Sequence, residues 1–212
     1  MANRSKKTVK NPTASSSKGF ISVIVVLLLV LVGAIFAFTK FAPTKMDNVF
    51  KGYENETVNM SMSYKNGVVT LENNPNENAK TINLYEDFSC HYCASLAQTS
   101  DADLKKAIES GDIVLNIHTL NFLDKEEKGY STKAFAVARE MAESGDVDQY
   151  WNFRNFLFSD FENTYGLIGN DEEFEARLVS DLGLDKKYVD AARDDEKVDA
   201  ANSDATGNVE NL

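Results

Sequence analysis

Residues 19–38 read GFISVIVVLLLVLVGAIFAF, twenty positions without a charge. A helix rises about 1.5 Å per residue, so such a run spans about 30 Å, the hydrocarbon thickness of a bilayer, and predicts one transmembrane helix. A cleaved signal peptide has an apolar region of only about 7–15 residues. The longer run here, with no Ala-x-Ala triplet or cysteine after it, predicts an uncleaved anchor. Residues 39–57, with Pro43 just past the helix, read as a stalk.

Beyond the stalk the period of the pattern changes to two. Residues 58–64 and 68–71 alternate around Lys65-Asn66-Gly67, and Asn-Gly between alternating segments predicts a type I′ hairpin. Residues 72–79, ENNPNENA, form a polar loop, and 80–85 read as a strand with Ile82 and Leu84 on one face. That strand runs into Glu86-Asp87-Phe88-Ser89-Cys90-His91-Tyr92-Cys93. A helix follows, with Leu96, Leu104 and Ile108 on one face and Gly111 as its stop, and then a strand over 112–120. Strand, motif, helix and strand make a βαβ unit. From Ser131 onward the pattern is helical. One stripe holds Ala134, Val137, Ala138 and Met141, and residues 148–158 are rich in aromatics that predict a second small core. Asn170 with Glu173 reads as a capping box, and Asp185 as the cap of a last helix through Tyr188, Val189 and Ala192. The domain therefore spans 58–212.

Charge sharpens this organisation. Residues 1–18 hold five basic and no acidic residues, which leaves 17 basic against 33 acidic residues in the rest of the chain. The positive-inside rule places this basic tail in the cytoplasm and the domain outside it. A domain so acidic repels phosphates, which excludes nucleic acid as a partner.

The chain has two cysteines, Cys90 and Cys93. A pair so close in sequence closes no long loop, so a stabilising disulfide is a poor explanation. Tetrahedral zinc needs two more ligands, and the only histidines are His91, inside the motif, and His118, in a strand. Neither a metal nor another cofactor is expected, and a copper or zinc carrier built on Cys90, Cys93 and His91 is the weakest alternative. Redox chemistry fits the strand-to-helix setting. Cys90 at a helix N-terminus faces unpaired N–H groups and the helix dipole, which stabilise a thiolate, while Cys93 one turn later is the resolving thiol. His91 when protonated can tune the pair, and Tyr92 reads as a shaper of the substrate groove.

LYEDFSCHYC (84–93), with NFLD (121–124) and YSTKAFA (130–136), resembles the membrane-anchored DsbA-like thiol–disulfide oxidoreductases of Gram-positive envelopes. The likeness covers roughly residues 55–205. It implies an α/β, thioredoxin-like fold with a helical subdomain inserted over about 128–195, and Asp87 and Phe88 as supporting residues. It also implies oxidation of free cysteines in exported proteins and a separate redox partner for reoxidation. His-Tyr stands where the family commonly begins its dipeptide with proline. All three prolines, Pro12, Pro43 and Pro75, precede Cys90, so the family's cis-proline loop, the two strands after it and a last helix are expected to be missing, as in a C-terminally truncated member. The strand at 80–85 is then expected to have an open edge. A non-catalytic, membrane-tethered binding module derived from the same fold is the alternative function.

Overall fold

The computed structural model describes residues 29–32, 49–124 and 127–212. The predicted anchor lies outside the described residues except for residues 29–32, a helical turn whose four side chains are exposed. Among the described residues no helix is long and apolar enough to cross a membrane.

Strands β1 (Ser61–Lys65) and β2 (Val68–Glu72) form the predicted hairpin, with Lys65 opposite Val68. Asn66 at φ 51° and Gly67 at φ 79° supply the two positive dihedrals that a type I′ turn requires. β3 (Lys80–Asp87), α1 (His91–Glu109) and β4 (Ile113–Leu120) form the βαβ unit, with β3 and β4 parallel. Gly111 ends α1 at φ 74°, and a Cβ there would stand 3.0 Å from the carbonyls of both Asn73 and Asn74, so the turn admits no side chain. The sheet order is β1-β2-β4-β3, which leaves β3 at an edge, with Ile82 and Tyr85 exposed.

The helical part follows: α2 (Tyr130–Ser144), α3 (Val147–Ser159), the single turn α4 (Phe161–Thr164), α5 (Glu172–Ser180), α6 (Lys186–Val189), a 3₁₀ turn (Asp190–Arg193) and α7 (Asp195–Glu210). Aspartates cap most of these helices. Asp146, Asp171, Asp185 and Asp194 each accept N–H groups of the first turn of α3, α5, α6 and α7. Much of the acidic excess thus has a structural use.

The helices pack on one face of the sheet, the face carrying Val69, Leu71, Leu115 and Ile117, all buried. The other face is polar, with Thr70, Asn116 and Asn83 hydrogen-bonded across three strands at 2.9 and 3.1 Å.

Five expectations change. The aromatics of α3 do not form a second core: Tyr150, Trp151, Phe153, Phe156 and Phe158 belong to the same cluster as the sheet. Residues 49–57, read as stalk, pack onto the domain. Phe50 stacks on Phe156 at 4.9 Å, and Tyr53 donates to the Asn152 carbonyl. Leu96 is exposed, because α1 buries the face of Ala94, Ala97, Asp101 and Ile108 instead. The helix cap expected at Asn170 is Asp171, and the helix capped by Asp185 is followed by a further one, α7.

Between the two halves lies a buried ion cluster. Arg154 of α3 clamps Glu86 of β3 with two bonds of 2.8 and 2.7 Å and reaches Asp101 of α1 at 2.5 Å. All three residues are buried. Removing the cation would leave two carboxylates stranded in the interior, so Arg154→Ala is expected to lower unfolding stability by about 3–5 kcal/mol. Urea titration checks this, and a loss under about 1 kcal/mol would mean that the cluster is solvated in solution.

Candidate functional site

β3 leads the chain into the redox turn, and its last residues fasten that turn from three directions. Glu86 is held by Arg154. Asp87 is fully buried, and its Oδ1 accepts the Ser89 N–H at 2.7 Å and the Ser131 hydroxyl, while Oδ2 accepts the Leu123 N–H at 3.0 Å. One carboxylate thus ties the redox turn to the start of α2 and to the turn after β4. Burial raises the Asp87 pKa, against the pull of the hydrogen bonds from Ser131, Ser89 and Leu123. Phe88 is buried against Phe158, with ring centroids 5.3 Å apart. Asp87 and Phe88 thus both make buried contacts at the turn.

Cys90 is the N-cap of α1. Its N–H donates to the Asp87 carbonyl at 2.8 Å, and its Sγ accepts the Cys93 N–H at 3.3 Å. A sulfur in this position lies beside the N–H groups of the first turn and caps one of them. Both cysteines are free thiols and half-buried. Burial, reinforced by the neighbouring Cys90 sulfur, pushes the Cys93 thiol up to about 12. The two sulfurs therefore have distinct environments: one caps a helix, and the other is a recessed, protonated thiol.

The dipeptide between them faces outward. His91 is exposed, its Nδ1 lies 3.1 Å from Glu162 Oε1, and its ring meets Phe161 edge-on at 5.9 Å. The first cysteine's neighbour is thus touched by the helical subdomain. Tyr92 is 84 % exposed. His118 sits on the polar face of the sheet, stacked on Tyr85 at 4.4 Å, with its pKa lowered by burial. Among the described residues no three histidine, cysteine, aspartate or glutamate side chains converge as metal ligands.

Sequence reasoning missed the residues beneath Cys93. Glu86, Asp101 and Arg154 line, with Cys93, a cavity of about 10 Å³, close to the room needed for one water. Asp101 Oδ1 is buried there without a protein partner. Burial works against the charge of Arg154, but the two carboxylates outweigh it and hold its pKa well above the usual value. The available signal was the lone cation in the aromatic run YWNFRNFLF. Ser131 gave none.

The family model described as Thioredoxin matches residues 76–210. The solved structure of MdbA, a thiol–disulfide oxidoreductase from Corynebacterium diphtheriae, is similar, with a TM-score of 0.68 and 37 % identity over 76 % of this chain and 81 % of that one. MdbA from Corynebacterium matruchotii gives a TM-score of 0.68 and 36 % identity over 79 % and 83 %. The serine/threonine-protein kinase PknE of Mycobacterium tuberculosis is 27 % identical over 136 residues, 62 % of this chain. The chain spans only about a quarter of that kinase's length, 24 %.

The recessed thiol gives a pH test. Because the folded protein raises the Cys93 pKa, its thiolate is scarce at neutral pH and grows only as pH approaches about 12. In a Cys90→Ser chain, which keeps the burial of Cys93 but loses the Cys90 sulfur, alkylation of Cys93 by iodoacetamide at pH 8 is expected to run more than tenfold slower than that of an unfolded cysteine. Rates within tenfold of the unfolded control would show that Cys93 is not recessed.

Proposed function

This chain belongs to the thioredoxin family and has its mixed α/β fold with a helical insertion; from that premise we propose that it is a thiol–disulfide oxidoreductase that forms disulfides in exported proteins through Cys90-His91-Tyr92-Cys93. The observation that carries the reading is the unequal pair: Cys90 as the cap of α1, and Cys93 recessed and protonated behind it.

In the disulfide form a substrate thiolate attacks Cys90 Sγ. The Cys90–Cys93 bond breaks, its electron pair goes to Cys93 Sγ, and Cys93 takes up a proton, which its raised pKa makes it keep. A second substrate thiolate then attacks the substrate sulfur of the mixed disulfide and releases Cys90. The substrate leaves with a disulfide, and the protein is left as a dithiol. A separate redox partner restores the disulfide.

The proposed setting is extracytoplasmic, with a cytoplasmic tail (1–18), one anchor (19–38) and the domain beyond it. The uncharged run and the five basic residues before it support that reading. A second reading, a tethered module without catalysis, is favoured by one observation. β3 reaches the cysteines as an open edge of the sheet, and such an edge can pair with a strand of another polypeptide.

Two measurements on the full chain, the first in lipid nanodiscs and the second in the cell envelope, separate the readings. The disulfide form is expected to oxidise a reduced two-cysteine peptide stoichiometrically. A Cys93→Ala chain, expressed in its cell envelope, is expected to accumulate mixed disulfides through Cys90. A chain that exchanges with no thiol and traps no exported protein is a binding module.

A further inference from the structure

A second cavity opens beside the redox turn. It has a volume of about 170 Å³ and is walled by Leu123, Tyr130 and Tyr165, with Ser89, Asp124 and Asn170 as its polar side chains. Ser89 is the residue before Cys90. From this cavity an unbroken strip of rings leads to the dipeptide. Tyr130 meets Tyr165 at 5.2 Å, Tyr165 meets Phe161 at 5.4 Å, Phe161 meets His91 at 5.9 Å, and His91 meets Tyr92 at 6.1 Å. Tyr92, Phe122, Leu123 and Tyr165 are all exposed, although the rest of the domain buries most of its large apolar side chains. Exposed apolar groups gathered around a reactive centre mark a binding surface.

We propose that this cavity and strip form a subsite for an apolar, preferentially aromatic, side chain close to the reacting cysteine of the substrate polypeptide. The inference rests on the disulfide chemistry proposed above and names the substrate feature that the site selects. Size agrees: an engineered apolar cavity of about 150 Å³ holds benzene. Chemistry agrees as well. The one charged group in the lining, Asp124, is already engaged by the Ser131 N–H at 2.8 Å, the Thr132 N–H at 3.1 Å and the Thr132 hydroxyl at 2.7 Å, so the cavity does not call for a counter-charge. The walls are set before any ligand arrives. Leu123 is fixed by its N–H to Asp87, and α2 by Asp124 and by the Ser89–Ser131 contact at 2.6 Å. A preformed wall orders little on binding, which favours recognition of an otherwise unfolded chain. Continuity with the sulfurs selects a substrate segment as the occupant over a distant partner.

The test uses the full chain in nanodiscs, in its Cys90–Cys93 disulfide form, with single-cysteine peptides that carry Trp or Ser two residues from the cysteine, and with glutathione. The peptide thiolate displaces Cys93 from Cys90, and the mixed disulfide is counted by mass after acid quench. The Trp peptide is expected to react about tenfold faster than the Ser peptide, equivalent to about 1.4 kcal/mol. Tyr165→Ser and, independently, Leu123→Ser should bring that ratio to within twofold, while Tyr165→Phe should preserve it. Each rate is read relative to glutathione, so a folding defect, which lowers all rates together, leaves the ratio to report on the subsite. Equal Trp and Ser rates in the parent chain, or a ratio untouched by both serine variants, would overturn the subsite alone. Dimerisation weakened by Tyr165→Ser, with no peptide preference, would assign the strip to a second copy and also overturn it. Inertness toward glutathione itself would remove the redox reading, and this inference with it.

Discussion

The position of Cys93 depends on a guanidinium it does not touch. Arg154, within α3 of the helical subdomain, joins the end of β3 to the third turn of α1 through Glu86 and Asp101. A buried ion cluster is weak evidence for net stability, because the desolvation of three charges offsets most of their attraction. Its effect here is geometric. A bidentate clamp tolerates little rotation, so the cluster sets how far α1 slides against β3, and with it the depth of the sulfur that lines the same small cavity.

The turn itself is fixed by the alternation of the strand. Consecutive residues of an extended chain point to opposite sides, so Glu86, Asp87 and Phe88 leave β3 toward different partners. Glu86 goes to α3, Asp87 to the start of α2, and Phe88 to the aromatic face of α3. The helical subdomain therefore grips the redox turn from both sides. An exposed turn at a sheet edge would otherwise be among the least ordered parts of a domain. The charge on Asp87 carries a pH consequence. Its folded pKa is raised, so its contribution to stability is fullest below the unfolded value of about 3.9 and declines as pH rises through the raised value. Neutral pH is thus where this hub costs most and the hydrogen bonds from Ser89, Ser131 and Leu123 matter most.

Much of this was legible in the sequence where local chemistry decides structure. Asn66-Gly67 admits few turns, the alternation from 80 to 85 requires a strand, and Cys90 stands where a strand must pass into a helix. What escaped depends on contacts distant in sequence. Leu96 fits the apolar stripe of α1 as well as Ala97 does, and only the presence of Arg154 behind the helix makes Asp101 rather than Leu96 the inward residue. α7 escaped because Asn202, Asp204 and Asn208 interrupt its apolar spacing. They are the residues that bind it, through Asn121, Tyr64 and Arg139, and the Gly67 and Thr119 carbonyls.

These constraints together explain why the two sulfurs differ although they sit three residues apart. Cys90 is held at the mouth of α1 by a turn bolted to the subdomain, and Cys93 faces the clamped ions inside. Cys90 thus stands at the helix mouth, and Cys93 is the sulfur that burial favours as a neutral thiol. The same subdomain that seats Arg154 also carries Phe161 and Tyr165 out beside His91. The insertion is therefore one body with two faces, one that lines the cavity beneath Cys93 and one that lies against His91.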